Sequence, residues 1–292
     1  MLKIDLDNIS QYSNLPTILN DKNSKVKYKN HQSIIREFEM EKWKSLIPLS
    51  ESSDTKIGDL SAMMHSESSL NPSLKPFLYD GSIYVDSPLS ISNKFIEYSI
   101  DMLKNTYTKN ECSSLVEVGA GYGRLLLPLI EAIENYKIEK VLGLDLTESS
   151  GLILSNLSNG LSYNIETSVI DVTGKNSVRH DKKLLVSAQK PLIFSCQTIM
   201  YVPKIDNDFI NLMKTWPDGI FCNIEPYYDE NASNDLQKLQ RNYIILNDYN
   251  RNLEKKLSYY ADKGIIDILY SEDHLISENA FLPLKLYVWK FI

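Results

Sequence analysis

The stretch "VEVGAGYGR", Val116–Arg124, ends a short apolar run and places three glycines within five residues. Glycines in such a turn let the backbone bend sharply and approach a bound group without side-chain clashes. A helix that follows the turn points its free N–H groups at the same place. The stretch therefore predicts a strand, a ligand-binding loop and a helix, and its other residues must decide which ligand it holds.

Two common phosphate-binding loops are excluded by the residues around these glycines. No Gly-Lys-Ser/Thr follows, so the loop is not of the Walker A type. A dinucleotide fingerprint requires a third glycine where this chain has Arg124. Glu117, two residues before the first glycine, would repel a pyrophosphate. It suits instead a ligand that carries an amine and a positive charge.

The pattern around the loop predicts an α/β fold. From about Leu89, apolar strand-like runs alternate with amphipathic helices, which indicates a mainly parallel sheet covered on both faces. A long helix is expected from Asp235 to about Asp262, ending at Gly264. No helix separates the last two strands, so they should form an antiparallel hairpin. The seven predicted strands are "SSLVEVG", "KVLGLDL", "IETSVIDV", "PLIFSC", "GIFCNIE", "IIDILYS" and "LKLYVWKF".

Taken together, these motifs resemble the class I S-adenosylmethionine-dependent methyltransferases over roughly Leu89 to Ile292. The loop is similar to their motif I, Asp145 ends the second strand, and Asp171 follows the third. The stretch "LIFSCQTIMYVPKID" resembles their fourth-strand motif. Together with the closing "ENAFLPLKLYVWKF", it is similar to a lesser degree to bacterial sugar O-methyltransferases. The resemblance implies a Rossmann-like methyltransferase fold and S-adenosylmethionine as cofactor.

The resemblance also implies a set of cofactor-binding residues. The glycine loop would contact the methionine part of the cofactor, and Glu117 would orient its amino group. Asp145 would accept from the ribose hydroxyls and Asp171 would face the adenine, although both could instead be helix caps. Arg124 could reach the cofactor carboxylate or lie exposed on the surface. The implied set is Glu117, Gly119, Ala120, Gly121, Tyr122, Gly123, Asp145, Leu146, Asp171, Val172, Ser195, Cys196 and Gln197.

Three residues are candidates for catalysis. Tyr201 stands where many relatives that methylate hydroxyls carry a histidine. His65 lies in an N-terminal region that could cover the site, and Glu225 ends the fifth strand. A general base would remove the proton of a hydroxyl acceptor as the new bond forms. A structural or solvent-facing role is the alternative for each, and His31 is expected to be solvated.

Composition restricts the partners and the compartment. The net charge of −7 lowers the expectation of a nucleic-acid partner. No apolar run approaches the roughly 20 residues of a membrane span, and the first residues do not resemble a secretory signal. The three cysteines are widely spaced, which predicts reduced thiols and no metal cluster. We therefore expect a cytoplasmic protein without a membrane partner or bound metal.

The domain prediction divides the chain in two. Residues 1–88 are expected to form a mostly helical and irregular substrate cap, with a helix in "QSIIREFEMEKWKSLI". Residues 89–292 are expected to form the domain that binds S-adenosylmethionine. The predicted function is methyl transfer to a small molecule, with a hydroxyl on a sugar or natural product favoured. The alternatives are N- or C-methylation of a small metabolite, or a catalytically silent protein that binds the cofactor.

Overall fold

The computed structural model describes residues 1–21, 23–52, 60, 73–159, 163–174, 181–273 and 275–292. The strands are β1 (Leu2–Lys3), β2 (Lys75–Tyr79), β3 (Ser82–Asp86), β4 (Ser114–Val118), β5 (Lys140–Asp145), β6 (Ile165–Val169), β7 (Pro191–Cys196), β8 (Ile220–Pro226), β9 (Ile266–Glu272) and β10 (Leu284–Phe291). The α-helices are α1 (Leu15–Asn20), α2 (His31–Ile35), α3 (Lys44–Ser50), α4 (Pro88–Lys109), α5 (Leu126–Ala132), α6 (Glu148–Ser158), α7 (Lys182–Leu185), α8 (Asn207–Met213), α9 (Asp235–Leu246) and α10 (Leu253–Asp262). None of these helices is long and apolar enough to cross a membrane.

The main sheet has the order β6-β5-β4-β7-β8-β10-β9. Strands β4 to β8 pair in parallel, whereas β10 runs antiparallel to both β8 and β9. The predicted seven-stranded sheet and its C-terminal antiparallel hairpin are therefore confirmed. The strand order reverses between β4 and β7, and in open α/β sheets a crevice for ligands forms at that point.

Two apolar layers cover the sheet because side chains alternate along each strand. On β4, Leu115 faces the layer that includes Phe95 of α4 and the apolar face of α5. Its neighbours Val116 and Val118 face the opposite layer, which includes Phe209 of α8 and residues of α10. Glu117 lies between these two valines and therefore points to the α4 and α5 side of the sheet.

The N-terminal region contains a small sheet that was not predicted. Strands β1, β3 and β2 form a three-stranded antiparallel sheet. An Asp80–Gly81 turn with φ values of 47° and 66° joins β2 to β3. Two consecutive residues with positive φ form the tight turn whose twist matches a hairpin. The prediction of a mostly helical and irregular region is thus wrong for this segment.

The helix predicted around "QSIIREFEMEKWKSLI" is present but changes its winding. Helix α2 begins at the cap residue Asn30, whose Oδ1 accepts the backbone N–H of Ser33 at 2.9 Å. A π-helical segment, Arg36–Trp43, follows and leads directly into α3. Stretches of π-helix are rare in proteins overall, and those that occur are often found at functional sites. This one lies beside the cavity described below.

The long helix predicted from Asp235 to Asp262 is wrong, because the chain breaks into α9 and α10. Asp248 has a φ of 51°, which ends α9. The Oδ1 of Asn250 accepts the backbone N–H groups of Asn252 and Leu253 at 2.9 and 2.8 Å and starts α10. Asn and Asp side chains compete in this way with helical hydrogen bonds. The predicted C-terminal stop is confirmed, since Gly264 follows α10 with a φ of 66°.

Candidate functional site

A cavity of about 450 Å³ opens at the carboxyl ends of β4, β5, β6 and β7. The glycine loop forms its floor, and the segment from Lys29 to Trp43 covers it. Of the predicted cofactor residues, those in its lining are Glu117, Gly119, Ala120, Gly121, Tyr122, Asp145, Leu146, Asp171, Val172, Cys196 and Gln197. Two of them, Gly123 and Ser195, lie outside the lining, and the catalytic candidate His65 lies outside the described residues.

Glu117 presents an unsatisfied carboxyl oxygen to this cavity. The residue is 3% exposed, and its Oε2 has no hydrogen-bond partner among the described residues. The Leu126 N–H bonds the carboxyl group, but burial dominates and raises the pKa of Glu117 well above its usual value. A buried acceptor without a partner is costly unless a ligand supplies the missing donor. This oxygen can accept a bond from an N–H or N⁺–H of a bound group, and a positive charge beside it would favour the ionised carboxylate.

The glycine loop is fixed in place by close contacts at both ends. A Cβ on Gly119, whose φ is 78°, would lie 2.0 Å from the Oγ1 of Thr198. A Cβ on Gly121, whose φ is 52°, would lie 3.2 Å from the Trp43 ring. Gly123 instead serves packing, because a Cβ there would meet the Leu154 side chain at 2.4 Å. Only the first two glycines bring backbone to the cavity.

Asp145 is held at the end of β5 by hydrogen bonds to the turn that follows and to the glycine loop. Its Oδ1 accepts the backbone N–H and the hydroxyl of Thr147 at 3.0 and 2.8 Å, as a turn residue does. Its Oδ2 accepts the Gly121 N–H at 3.0 Å and so ties β5 to the glycine loop. Burial raises the pKa of Asp145. The Ser150 side chain is a further hydrogen-bond partner of this carboxyl group.

Asp171 is paired with a residue that was expected to be solvated. Its Oδ1 accepts the backbone N–H and the hydroxyl of Thr173 at 2.9 and 2.6 Å. Its Oδ2 lies 3.6 Å from the Nδ1 of His31, at the start of α2. The His31 side chain is 37% exposed, as the expectation of a solvated residue requires, and it also lines the cavity.

The structure does not bring Glu225 or Ser195 into the cavity. The Oε1 of Glu225 accepts the Ser195 hydroxyl at 2.7 Å and the N–H groups of Thr198 and Ile199 at 3.1 and 3.0 Å. Its Oε2 accepts the Met200 N–H at 3.2 Å. Burial dominates these bonds and raises the pKa of Glu225 to about 7. The carboxyl group holds the loop after β7 in shape and has no access to an acceptor.

That loop carries Tyr201 into the lining. The Tyr201 ring meets Phe38 edge-on at 4.9 Å between centroids, and Tyr249 at 5.6 Å. Asn250 supports the same loop by donating its backbone N–H to the Met200 carbonyl at 2.8 Å. Burial raises the pKa of Tyr201, so its hydroxyl stays protonated at neutral pH. In that state it donates a hydrogen bond and does not remove a proton.

The N-terminal covering segment supplies lining residues that sequence reasoning did not identify. Its lining residues are Lys29, Asn30, His31, Ile34, Phe38, Lys42 and Trp43. Trp43 is 6% exposed and meets Tyr122 at 6.0 Å between ring centroids. Glu39 fastens the segment to α6, because its carboxylate accepts the hydroxyl and N–H of Ser149 at 2.5 and 3.3 Å. The apolar positions of this segment were visible in the sequence, but only as a helix stripe.

The Arg124 side chain is only 14% exposed, so of its two interpretations the exposed surface residue is wrong. Its Nη1 and Nη2 donate to the Oε2 and Oε1 of Glu278 at 2.7 and 2.6 Å. The guanidinium lies 4.7 Å from the centre of the Phe95 ring and borders the cavity. A two-pronged pair of this kind is strong and directional. It joins the loop before β10 to the glycine loop.

No group of three or more His, Cys, Asp and Glu side chains within the described ranges is placed to hold a metal ion. The three cysteines are free. Burial raises the pKa of each thiol, including that of Cys196, which lines the cavity. The thiols are therefore protonated and are poor nucleophiles.

Comparison with known proteins identifies the fold. No protein-family model matches the sequence, and no curated protein is significantly similar to it. A SAM-dependent methyltransferase from Anabaena variabilis superposes with a TM-score of 0.51 at 12% identity, covering 93% of this chain and 100% of that one. The 16S rRNA methylase ArmA gives a TM-score of 0.48 at 14% identity, covering 86% and 98%.

The complex of LepI with SAM gives a TM-score of 0.43 at 11% identity, covering 66% of this chain. The chain spans only 46% of the length of LepI. At these low sequence identities the comparisons show the fold alone. The strand order and the Anabaena structure agree on it. The protein has the Rossmann-like fold of the class I S-adenosylmethionine-dependent methyltransferases.

Proposed function

We propose that the protein binds S-adenosylmethionine in this cavity and transfers its methyl group to a small molecule. The observation that carries the proposal is the Oε2 of Glu117, a buried acceptor without a partner among the described residues. It lies in the lining next to Gly119, whose close-fitting backbone has no room for a side chain. The amino group of the cofactor is the donor that this oxygen lacks.

The other lining residues fit the remaining parts of the cofactor. Asp145 lines the cavity at the end of β5 and suits the ribose hydroxyls, and Asp171 with His31 forms a polar edge for the adenine. The exposed backbone from Gly119 to Gly121 suits the methionine part. When bound, the cofactor supplies a methyl group on a positively charged sulfur, which is an excellent leaving group.

The chain's own contribution to the transfer is positioning and exclusion of water. The covering segment from Lys29 to Trp43 lines one side of the cavity and shields it in part from solvent. Fixing two reactants in line can lower a barrier by on the order of 7 to 11 kcal/mol in favourable cases. Tyr201 keeps its proton, and we assign it the role of orienting the acceptor by a hydrogen bond.

We favour a hydroxyl on an aromatic natural product over one on a sugar. The walls of the cavity beyond the glycine loop include the apolar and aromatic side chains of Phe38, Phe95, Met200 and Tyr201, with Lys29 and Lys42 beside them. A sugar requires several polar partners, which these side chains do not offer. A covered cavity of about 450 Å³ in a chain of net charge −7 also favours a small acceptor over a nucleic acid.

A cytoplasmic location is part of this proposal. The three cysteines are free, and free thiols suit a reducing compartment. The acceptor would then be an intermediate or product of biosynthesis inside the cell.

The test is incubation of the full chain with S-adenosylmethionine and a panel of phenolic, alcoholic and amine acceptors. Release of S-adenosylhomocysteine together with a methylated acceptor, detected by mass spectrometry, supports the proposal. The position of the methyl group, from nuclear magnetic resonance, separates O-methylation from N- or C-methylation. Tight cofactor binding without transfer to any acceptor would favour the silent alternative.

A further inference from the structure

We propose that the acceptor is an aromatic molecule with an anionic group, and that Lys29 and Lys42 bind that group. This inference rests on the proposed methyl transfer and names the substrate class of the same cavity. The two lysines belong to the covering segment, and both line the cavity. They are not among the residues that the resemblance implies for the cofactor.

The first observation is an excess of positive charge. The Nζ atoms of Lys29 and Lys42 lie 2.6 and 2.9 Å from the two carboxylate oxygens of Glu37. Burial alone would raise the pKa of Glu37, but the hydrogen bonds from the two lysines outweigh it and lower the pKa. Glu37 is therefore ionised, and two ammonium groups share one carboxylate. The cluster keeps a net charge of about +1, with Glu37 itself outside the cavity lining.

The second observation is that the charge is held in place. The Lys29 side chain is only 12% exposed, which is rare for a lysine. Its backbone N–H donates to the Oδ2 of Asp248 at 3.0 Å, and the Lys27 N–H donates to the Leu246 carbonyl at 2.8 Å. These bonds fasten the segment before α2 against the end of α9. The ammonium group of Lys29 is thus presented at a fixed position.

The third observation is the aromatic surface beside the charge. The Nζ of Lys42 lies 4.1 Å from the centre of the Phe38 ring and 5.8 Å from that of Tyr201. The Nζ of Lys29 lies 5.2 Å from the Tyr201 ring. A flat aromatic acceptor can pack on these rings with a carboxylate or phenolate at its edge, where both ammonium groups donate to it.

The distribution of charge within the cavity points the same way. The acidic lining residues Glu117, Asp145 and Asp171 all lie at the strand ends that suit the cofactor. The guanidinium of Arg124 is already paired with Glu278. The end that faces the covering segment is therefore positive, and a protonated amine would be repelled there. An anionic acceptor is attracted, and its charge is partly neutralised once it is enclosed.

Calorimetry on the full chain saturated with S-adenosylhomocysteine tests the inference. The probes are salicylate and salicylamide, which have the same shape and differ in charge. We expect salicylate to bind about ten-fold more tightly than salicylamide, because salicylamide lacks one charge-assisted hydrogen bond to the lysines. Lys42→Met and Lys29→Met should each remove most of this preference, whereas Lys42→Arg should retain it. Lys183→Met, on an exposed helix, is the matched control and should retain it fully.

The outcomes separate this inference from the proposed function. If the unmodified chain fails to bind S-adenosylhomocysteine, the proposed function itself fails. If it binds S-adenosylhomocysteine but takes salicylate no more tightly than salicylamide, only the acceptor assignment is overturned. The same holds if Lys42→Met and Lys29→Met, with unchanged affinity for S-adenosylhomocysteine, keep the full preference.

Discussion

The ring of Trp43 lies directly over Gly121, so that a Cβ on Gly121 would come within 3.2 Å of the Trp43 Cη2 atom. One residue belongs to the N-terminal covering segment and the other to the glycine loop that follows β4. The contact therefore links the cover of the cavity to its floor. We expect both residues to contribute to cofactor affinity, although they are far apart in sequence.

Gly121→Ala should weaken binding of S-adenosylhomocysteine about ten-fold or more. The new methyl group would push the Trp43 ring away, and the φ of 52° would strain any residue other than glycine. Gly264→Ala is the matched control, because Gly264 has a φ of 66° and nothing within 4 Å of its Cβ position. The control should lose about 1 kcal/mol of stability and no affinity. Equal affinity losses in both variants would show that the contact with Trp43 is irrelevant.

Trp43 should report on occupancy of the cavity by its fluorescence. The chain has three tryptophans, and the other two, Trp216 and Trp289, are 2% and 0% exposed in the apolar layer on the opposite face of the sheet. Binding of S-adenosylhomocysteine should change the emission of the unmodified chain. Trp43→Phe should abolish that change while retaining a folded protein. A signal that persists in Trp43→Phe would place the ligand elsewhere.

The strands of the main sheet could be predicted from the sequence because residues close together in the chain mark each of them. Each strand is a short apolar run, and the glycines after β4 mark the turn to a helix. The hairpin of the small N-terminal sheet is also marked by residues close together in the chain, although it was not predicted. Asp80–Gly81 lies between two alternating apolar runs, the strongest short-range indication of a hairpin.

The position of the covering segment over the site could not be predicted from the sequence, because it depends on contacts between residues far apart in the chain. Trp43 meets Tyr122, and His31 meets Asp171, only after the chain has folded. The role of Glu225 depends likewise on four donors that no spacing rule predicts. The break at Asp248, in contrast, could have been predicted, because the Asn and Asp residues around it disfavour an unbroken helix.

Glu225 should make stability depend on pH in a recognisable way. Its pKa rises from 4.5 to about 7 on folding, so between these values the folded chain retains a proton that the unfolded chain releases. The free energy of unfolding should therefore fall as the pH rises through this window, by on the order of 3 kcal/mol from this group. Chemical denaturation of the unmodified chain and of Glu225→Gln at a series of pH values measures the difference.

The Glu225→Gln variant keeps an oxygen for Ser195 and the first two backbone donors. It places an amide N–H₂ opposite the Met200 N–H, which lowers the free energy of unfolding by the same amount at every pH. The prediction concerns the slope, so this constant loss does not affect it. Parallel stability curves for the two proteins would contradict the assignment of a raised pKa to Glu225.

The central claim is that the unpartnered oxygen of Glu117 receives the amino group of S-adenosylmethionine. Calorimetry with S-adenosylhomocysteine and with methylthioadenosine, which lacks the amino-acid part, tests it directly on the full chain and on Glu117→Gln. We predict that Glu117→Gln weakens binding of S-adenosylhomocysteine about ten-fold and leaves that of methylthioadenosine unchanged. Failure of the unmodified chain to bind S-adenosylhomocysteine, or equal losses for the two ligands, would contradict the claim.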